Sequence, residues 1–281
     1  MTTDTVTRTL HERELISPPK FLAKEGCVHY ETEVGSVAYG VAQSSSDVDI
    51  YGFCIPPKEM IFTHLRGDIP GFGRQKKNFE QFQQHGIRDG EELVWDLTVY
   101  SIVRYFGLCM ENNPNMLESL FTPESCIRYA SPIARRIREQ RNLFLHKGAW
   151  HKFRGFAYSQ IHKMKNKEPE GKRVALVEKF GFDVKFAYHA VRLMDEAEQI
   201  LTRGDLDLQA GKDRLIEIRS GEWTQEQVES YFEQKEKELD VLYEQTKLIP
   251  HSPDEAAIKE LLLESFEEAW GSLDGVITRT S

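Results

Sequence analysis

Asp47 and Asp49 stand one residue apart in the run Asp47-Val-Asp-Ile-Tyr-Gly, which reads as a strand stopped by Pro56-Pro57. Side chains alternate across a strand, so both carboxylates project from one face, about 7 Å apart along the chain. Paired carboxylates on one face suit a divalent metal. Magnesium takes oxygen ligands and keeps positions open for water and substrate phosphates. Upstream, Gly35 lets the backbone approach a phosphate closely, and the Ser36 hydroxyl with nearby N–H groups can hold β- and γ-oxygens at the start of a short helix. The chemistry that fits is transfer on a metal-bound nucleotide. The competing explanation is a polar turn, Ser44-Ser-Ser-Asp, entering a strand. Gly-Ser at this distance from two acids on one strand face requires a further coincidence under that explanation.

Strands must position these residues. Val28 to Val34 is rich in β-branched and apolar residues and ends at Gly35, and Asp47 to Ile55 forms a second strand. A hairpin is expected with Phe79 to Ile87 going up, Arg88-Asp89-Gly90 turning and Leu93 to Asp96 returning. Lys58 to Lys77, with Gly67, Pro70, Gly71 and Gly73, reads as an excursion. Beyond Asp96 the apolar spacing changes to the helical period, as in Val99, Ile102, Val103 and Phe106. Helices are expected over Thr98 to Met110, Pro114 to Leu120, Pro132 to Gln140, His151 to Lys165, Asp183 to Thr202, Gln225 to Lys247 and Pro253 to Trp270. Capping boxes are read at Thr224 with Gln227 and at Ser252 with Glu255, with Pro253 in a first helical position. Strands first and helices after give an α+β protein. Its catalytic part spans residues 1–145 and a helical part residues 146–281, with the boundary near Leu143 to Ala149.

The pattern Gly-Ser, ten residues, Asp-x-Asp resembles the signature of the polymerase-β-type nucleotidyltransferase superfamily. The resemblance implies a small mixed β-sheet core flanked by helices. It also implies acids that hold two metal ions, magnesium or manganese, for attack of a hydroxyl on the α-phosphorus of a nucleoside triphosphate. Asp47-Val-Asp-Ile-Tyr-Gly, Asp96-Leu-Thr-Val-Tyr-Ser, Asn113-Pro-Asn-Met-Leu-Glu-Ser-Leu and Lys179-Phe-Gly-Phe-Asp-Val-Lys-Phe-Ala-Tyr-His-Ala-Val-Arg-Leu are similar to a narrower branch, the RNA-ligase-associated or YcgL-like nucleotidyltransferases of bacteria and phages. The similarity covers roughly residues 28 to 220. A third carboxylate on a neighbouring strand is implied as well, and Asp96 is the choice, with Glu92 as the substitute. Asp96 also fits a helix cap before Thr98.

In the helical part Lys185, His189 and Arg192 recur at i, i+4 and i+7 and form one stripe, while Val184, Ala187, Val191 and Leu193 help cover the buried surface. Facing the metal site, that stripe would bind triphosphate oxygens or the acceptor; facing water, it would do nothing. His151, Arg154, Tyr158 and His162 form a similar stripe that reads as a solvated face. Asn113-Pro114-Asn115 reads as a turn between helices and is assigned no chemistry.

The whole-chain totals narrow the partners. A formal charge of −9 disfavours a protein that coats duplex nucleic acid. Arg128 to Arg173 nonetheless holds thirteen Lys or Arg against three Glu, which permits a localised polyanion surface. Four scattered cysteines without zinc-ligand spacing read as reduced thiols. No apolar run reaches the roughly 18 residues that cross a bilayer, and the N-terminus lacks a signal-peptide pattern, so the cytoplasm is the expected location. The function expected is transfer of a nucleoside monophosphate from a triphosphate to a hydroxyl, with RNA as the acceptor. The rivals are nucleotidylation of a protein and a nucleotide-binding regulatory module without turnover.

Overall fold

The computed structural model describes residues 4–42, 47–62, 78–90 and 93–271. Glu92, Ser44 to Ser46 and residues 63–77 of the expected excursion lie outside the described residues. In chain order the elements are α1 (Val6–Glu12), β1 (Val28–Glu33), β2 (Val48–Cys54), α2 (Lys58–Ile61), β3 (Gln81–Asp89), β4 (Leu93–Ser101), α3 (Ile102–Met110), α4 (Pro114–Phe121), β5 (Ile127–Ala130) and α5 (Pro132–Glu139). After β5 the described chain is helical: α5 is followed by α6 (Gly148–Asn166), α7 (Lys172–Phe180), α8 (Val184–Arg203), α9 (Lys212–Ser220), α10 (Gln225–Gln245) and α11 (Glu255–Trp270). The strands form one mixed sheet in the order β3-β4-β2-β1-β5, antiparallel except for the central parallel pair β2 and β4. The protein is α+β, as expected.

Strand alternation in β2 and β4, with a register shift between Val28 and Tyr30 in β1, divides the core between two faces of this sheet. Val28, Ile50, Cys54, Leu97 and Val99 pack beneath it with Leu10, Ile16 and Leu22 of the N-terminal segment. Tyr30 and Phe53 point to the opposite face, into a core that continues through α3, α4, α6 and α8 to Phe266 of α11. Glu31 fastens α1 to the sheet, since its carboxylate accepts from the backbone N–H groups of Val6 and Thr7 at the helix start.

One expected helix boundary is corrected. Leu97, Thr98 and Val99 continue β4, because β2 offers them a parallel partner out to Cys54 and Ser101, and α3 begins only at Ile102. The N-cap of α3 is Ser101, whose hydroxyl accepts from Arg104 N. Asp96 therefore lies inside a strand and does not cap that helix. The capping box at Thr224 and Gln227 is present, but α11 is capped by Asp254, whose carboxylate accepts from Ala257 N. Pro253 thus stands outside that helix, contrary to its expected first helical position. The elements α1, α2, β5, α7 and α9 go beyond the expected set, all short segments with few periods to read. Cys27, Cys54, Cys109 and Cys126 are free and buried. Among the described residues no helix is long and apolar enough to cross a membrane.

Candidate active site

Asp49 of β2 and Asp96 of β4 are direct partners in the parallel register. Their neighbours Ile50 and Leu97 enter the lower core, so both carboxylates stand on the upper face, toward the helices. Asp47, two residues before Asp49, is exposed at the mouth of β2. Asp49 is pushed up to about 6, first by burial and then by the charges of Asp96 and Asp47, while Lys185 and His85 pull it the other way. Asp47, Asp49 and Asp96 thus bring three carboxylates to one end of the β2–β4 pair, side chains of the oxygen-donor type that divalent cations take. Among the described residues no group of three His, Cys, Asp or Glu stands close enough together to hold a metal ion as it is.

Asp96 is held from the hairpin side. The register of β3 on β4 shifts between Gln84 and Ile87, a bulge with Gly86 at φ +63°. It aims Gly86 N at Asp96 Oδ1, 2.7 Å away, and brings His85 Nδ1 to 3.0 Å from Asp96 Oδ2. Bulges commonly re-aim side chains in this way.

The segment after β1 closes into a single turn. Tyr39 N donates to Gly35 O at 3.1 Å, Gly40 N to Val37 O at 3.0 Å and Val41 N to Ser36 O at 2.9 Å. Gly35 has φ +69°, and a Cβ built on it would lie 3.1 Å from Asp49 Oδ2. Its backbone thus rests against the carboxylate, which only a residue without a side chain does without displacing it. Ser36, half-buried, follows in the same turn.

A cavity of about 850 Å³ opens beside this turn. Gly35, Tyr39, Asp49 and Tyr51 line it from the sheet side, and His189 and Arg192 from α8. Asp47 and Asp96 are outside its lining, so the cavity lies on the Gly35 side of Asp49 and the β3 bulge on the Asp96 side. Lys185 is exposed at the start of α8, and Asp47 is among the charges that act on it. Burial and the cations Arg192, Arg173, Lys185 and Arg219 hold the His189 imidazole well below its ordinary value, which leaves it neutral at pH 7. Arg192 has a different environment. It is buried, paired with Glu118 and Glu196, and its guanidinium lies 4.2 Å from the Tyr39 ring centroid. The Tyr39 hydroxyl donates to Glu118 as well.

The expected residues therefore divide into groups. Gly35, Ser36, Asp47, Asp49, Asp96 and Lys185 surround the strand mouth, His189 faces the cavity, and Arg192 is embedded in its floor. Sequence reasoning missed Lys152, Phe156, Ser159 and Lys163 of α6, which line the cavity with Arg173 and Asn115. Their spacing of i, i+4, i+7 and i+11 is helical, but they lie on the face beside the stripe that was read. In that stripe Tyr158 is 62% exposed and Arg154 is paired with Glu236 and Asp240, but His151, expected on the solvated face, also lines the cavity.

Comparison with known proteins adds a family. Residues 20–264 match the model of the RNA repair pathway DNA polymerase beta family. No curated protein matches. Among solved structures, a nucleotidyltransferase-like protein from Exiguobacterium sibiricum aligns over 94% of this chain and 77% of its own, with 11% identity and a TM-score of 0.30. That likeness is too slight to bear on fold or function.

Proposed function

The chain belongs to the RNA repair pathway DNA polymerase beta family and is a nucleotidyltransferase, and we propose that it moves a nucleoside monophosphate from a nucleoside triphosphate to a hydroxyl group of RNA. The acceptor oxygen forms a bond to the α-phosphorus, the bond to the bridging β-phosphate oxygen breaks, and pyrophosphate leaves. The observation that carries this reading is the pairing of Asp49 with Asp96 on one sheet face, with the Gly35 backbone against the Asp49 carboxylate.

In this reading Asp47, Asp49 and Asp96 hold the metal, magnesium or manganese. When bound, a divalent ion supplies positive charge to the phosphate oxygens and lowers the pKa of the acceptor hydroxyl. The turn containing Gly35 and Ser36 grips the leaving phosphates through hydroxyl and backbone donors. Lys185 offers a charged donor to the same phosphates, and neutral His189 a hydrogen bond from the cavity wall. Arg192 acts through the Tyr39 ring that it underlies, so it supports the turn and does not reach the phosphate itself. The triphosphate occupies the cavity, and the acceptor approaches Asp96 past the β3 bulge. The catalytic part, residues 1–145, and the helical part, residues 146–281, are the two walls of this cleft.

The test is incubation of the full chain with each of four labelled nucleoside triphosphates and magnesium, offering RNA of defined ends and, separately, protein. Label on RNA supports the reading. Label on protein alone would transfer it to the protein-nucleotidylating alternative, and no label with any triphosphate would overturn it.

A further inference from the structure

Five carbonyls of the Gly35–Val41 turn accept hydrogen bonds, from two sources. Those of Gly35, Ser36 and Val37 accept from N–H groups within the turn itself. Those of Ala38 and Val41 are met by side chains far along the chain: Gln209 Nε2 donates to Ala38 O at 3.2 Å, and Arg219 Nη1 to Val41 O at 2.8 Å. Between them, the methylenes of Lys212 lie against Gly40, where a built Cβ would be 3.1 Å from Lys212 Cδ.

A lone turn of this length does not hold itself, since helical nucleation is unfavourable and the last carbonyls lack partners inside the turn. The donors, by contrast, are anchored. Asp207 fixes the Gln209 backbone and is itself bonded to Gln199 of α8. Arg214 ties α9 to Asp195 and Tyr231, and the Arg219 guanidinium lies 5.1 Å from the Tyr188 ring centroid.

We infer that Arg219 and Gln209 are positioning residues that set the conformation of the Gly35–Val41 turn, and through it the grip of Gly35 and Ser36 on the triphosphate. This rests on the nucleotide-binding reading of the turn. Arg219 and Gln209 touch no reacting atom; they hold the backbone that does. A misplacement of about 1 Å in such an element lowers turnover substantially.

The test compares full-length Arg219→Ala, Arg219→Lys, Gln209→Ala and Ser36→Ala. Steady-state kinetics with each triphosphate is combined with amide hydrogen exchange over residues 35–41. Arg219→Ala is expected to accelerate exchange in the turn and raise KM for the triphosphate roughly tenfold, as loss of a charge-assisted hydrogen bond implies. Arg219→Lys should recover part of both, and Gln209→Ala should show the same pattern more weakly. Should Arg219→Ala fail to fold, Gln209→Ala and Arg219→Lys carry the comparison. Unchanged exchange, or faster exchange with KM within twofold of wild type while Ser36→Ala raises KM, would overturn the inference. An unchanged KM in Ser36→Ala would instead overturn the nucleotide-binding reading of the turn.

Discussion

Asp49 and Asp96 face each other across two parallel strands, in register and on the same side of the sheet, although α2 and β3 lie between them in the chain. The Asp96 charge adds to burial in raising the demand of Asp49 for a proton or a cation. The strand mouth is thus the place where electrostatics and backbone geometry ask for the same thing.

Asp49→Asn and Asp96→Asn should each abolish transfer while keeping the fold, because the amide retains shape and removes charge. Asp96→Asn should also bring the Asp49 carboxyl down from about 6, though only in part, since burial is the larger cause. Carboxyl titration by NMR on metal-free protein, beside turnover assays, reads both effects. The helix cap lies elsewhere, so Ser101→Ala, not Asp96→Asn, should cost the ~1 kcal/mol of a lost cap. Wild-type turnover in either asparagine variant would remove these residues from the site.

Lys185 and Arg192 share one helix stripe yet should respond oppositely to substitution. Arg192→Met leaves Glu118 and Glu196 buried without their cation, and such a loss typically destabilises by about 3–5 kcal/mol. Lys185→Ala removes an exposed side chain, so stability should change by less than about 0.5 kcal/mol while KM for the triphosphate rises roughly tenfold. Denaturant melts and steady-state kinetics on both variants separate the two. A stable Arg192→Met protein with a raised KM would return Arg192 to direct phosphate binding.

This contrast marks what the sequence could and could not reveal. The Gly35-Ser36 and Asp47-x-Asp49 spacing is local, whereas strand alternation alone does not separate Asp96 from Glu92; the register of β4 on β2 pairs Asp96 with Asp49. The extension of β4 to Ser101 depended on pairing with β2, which no local period reports. Arg192 could be placed on a stripe, but its carboxylate partner Glu118 lies on α4, 74 positions away. The bond from Arg219 to Val41 spans 178 positions. Local propensity reads elements; long-range pairing decides which of their polar groups remain open to a substrate.

His29 and Glu31, neighbours on β1, should give stability opposite pH slopes. Burial lowers His29 from 6.5 to about 4. A depressed folded value means that its contribution is full above 6.5 and is lost as pH falls through 4. Burial raises Glu31 from 4.5 to about 7, against the opposing hydrogen bonds from Thr7 and Val6. Its contribution is therefore full below 4.5 and is lost as pH rises through 7. The two slopes oppose each other between pH 4.5 and 6.5, so Glu31→Gln should leave stability rising more steeply with pH across that window, and His29→Gln should leave it falling more steeply. Urea melts across pH 4 to 8 check both, and parallel profiles for wild type and Glu31→Gln would contradict the assignment.

Gly35→Ala should damage activity more than stability, and Gly26→Ala provides the control. Both glycines have positive φ, +69° and +74°. A non-glycine residue there costs roughly 1–2 kcal/mol in either place. The surroundings differ. A Cβ at Gly26 would meet nothing within 4 Å, whereas at Gly35 it would lie 3.1 Å from Asp49 Oδ2. Accommodating the methyl group must move the carboxylate or lift the turn that carries Ser36, and either change alters the proposed metal and phosphate site. Both variants should therefore lose similar stability in thermal or chemical melts, while only Gly35→Ala loses transfer, by about tenfold or more in kcat/KM. Magnesium titration of the two proteins adds a readout independent of turnover, with weaker binding expected in Gly35→Ala alone. Equal activity in both variants would mean that the approach of Gly35 to Asp49 has no part in the chemistry.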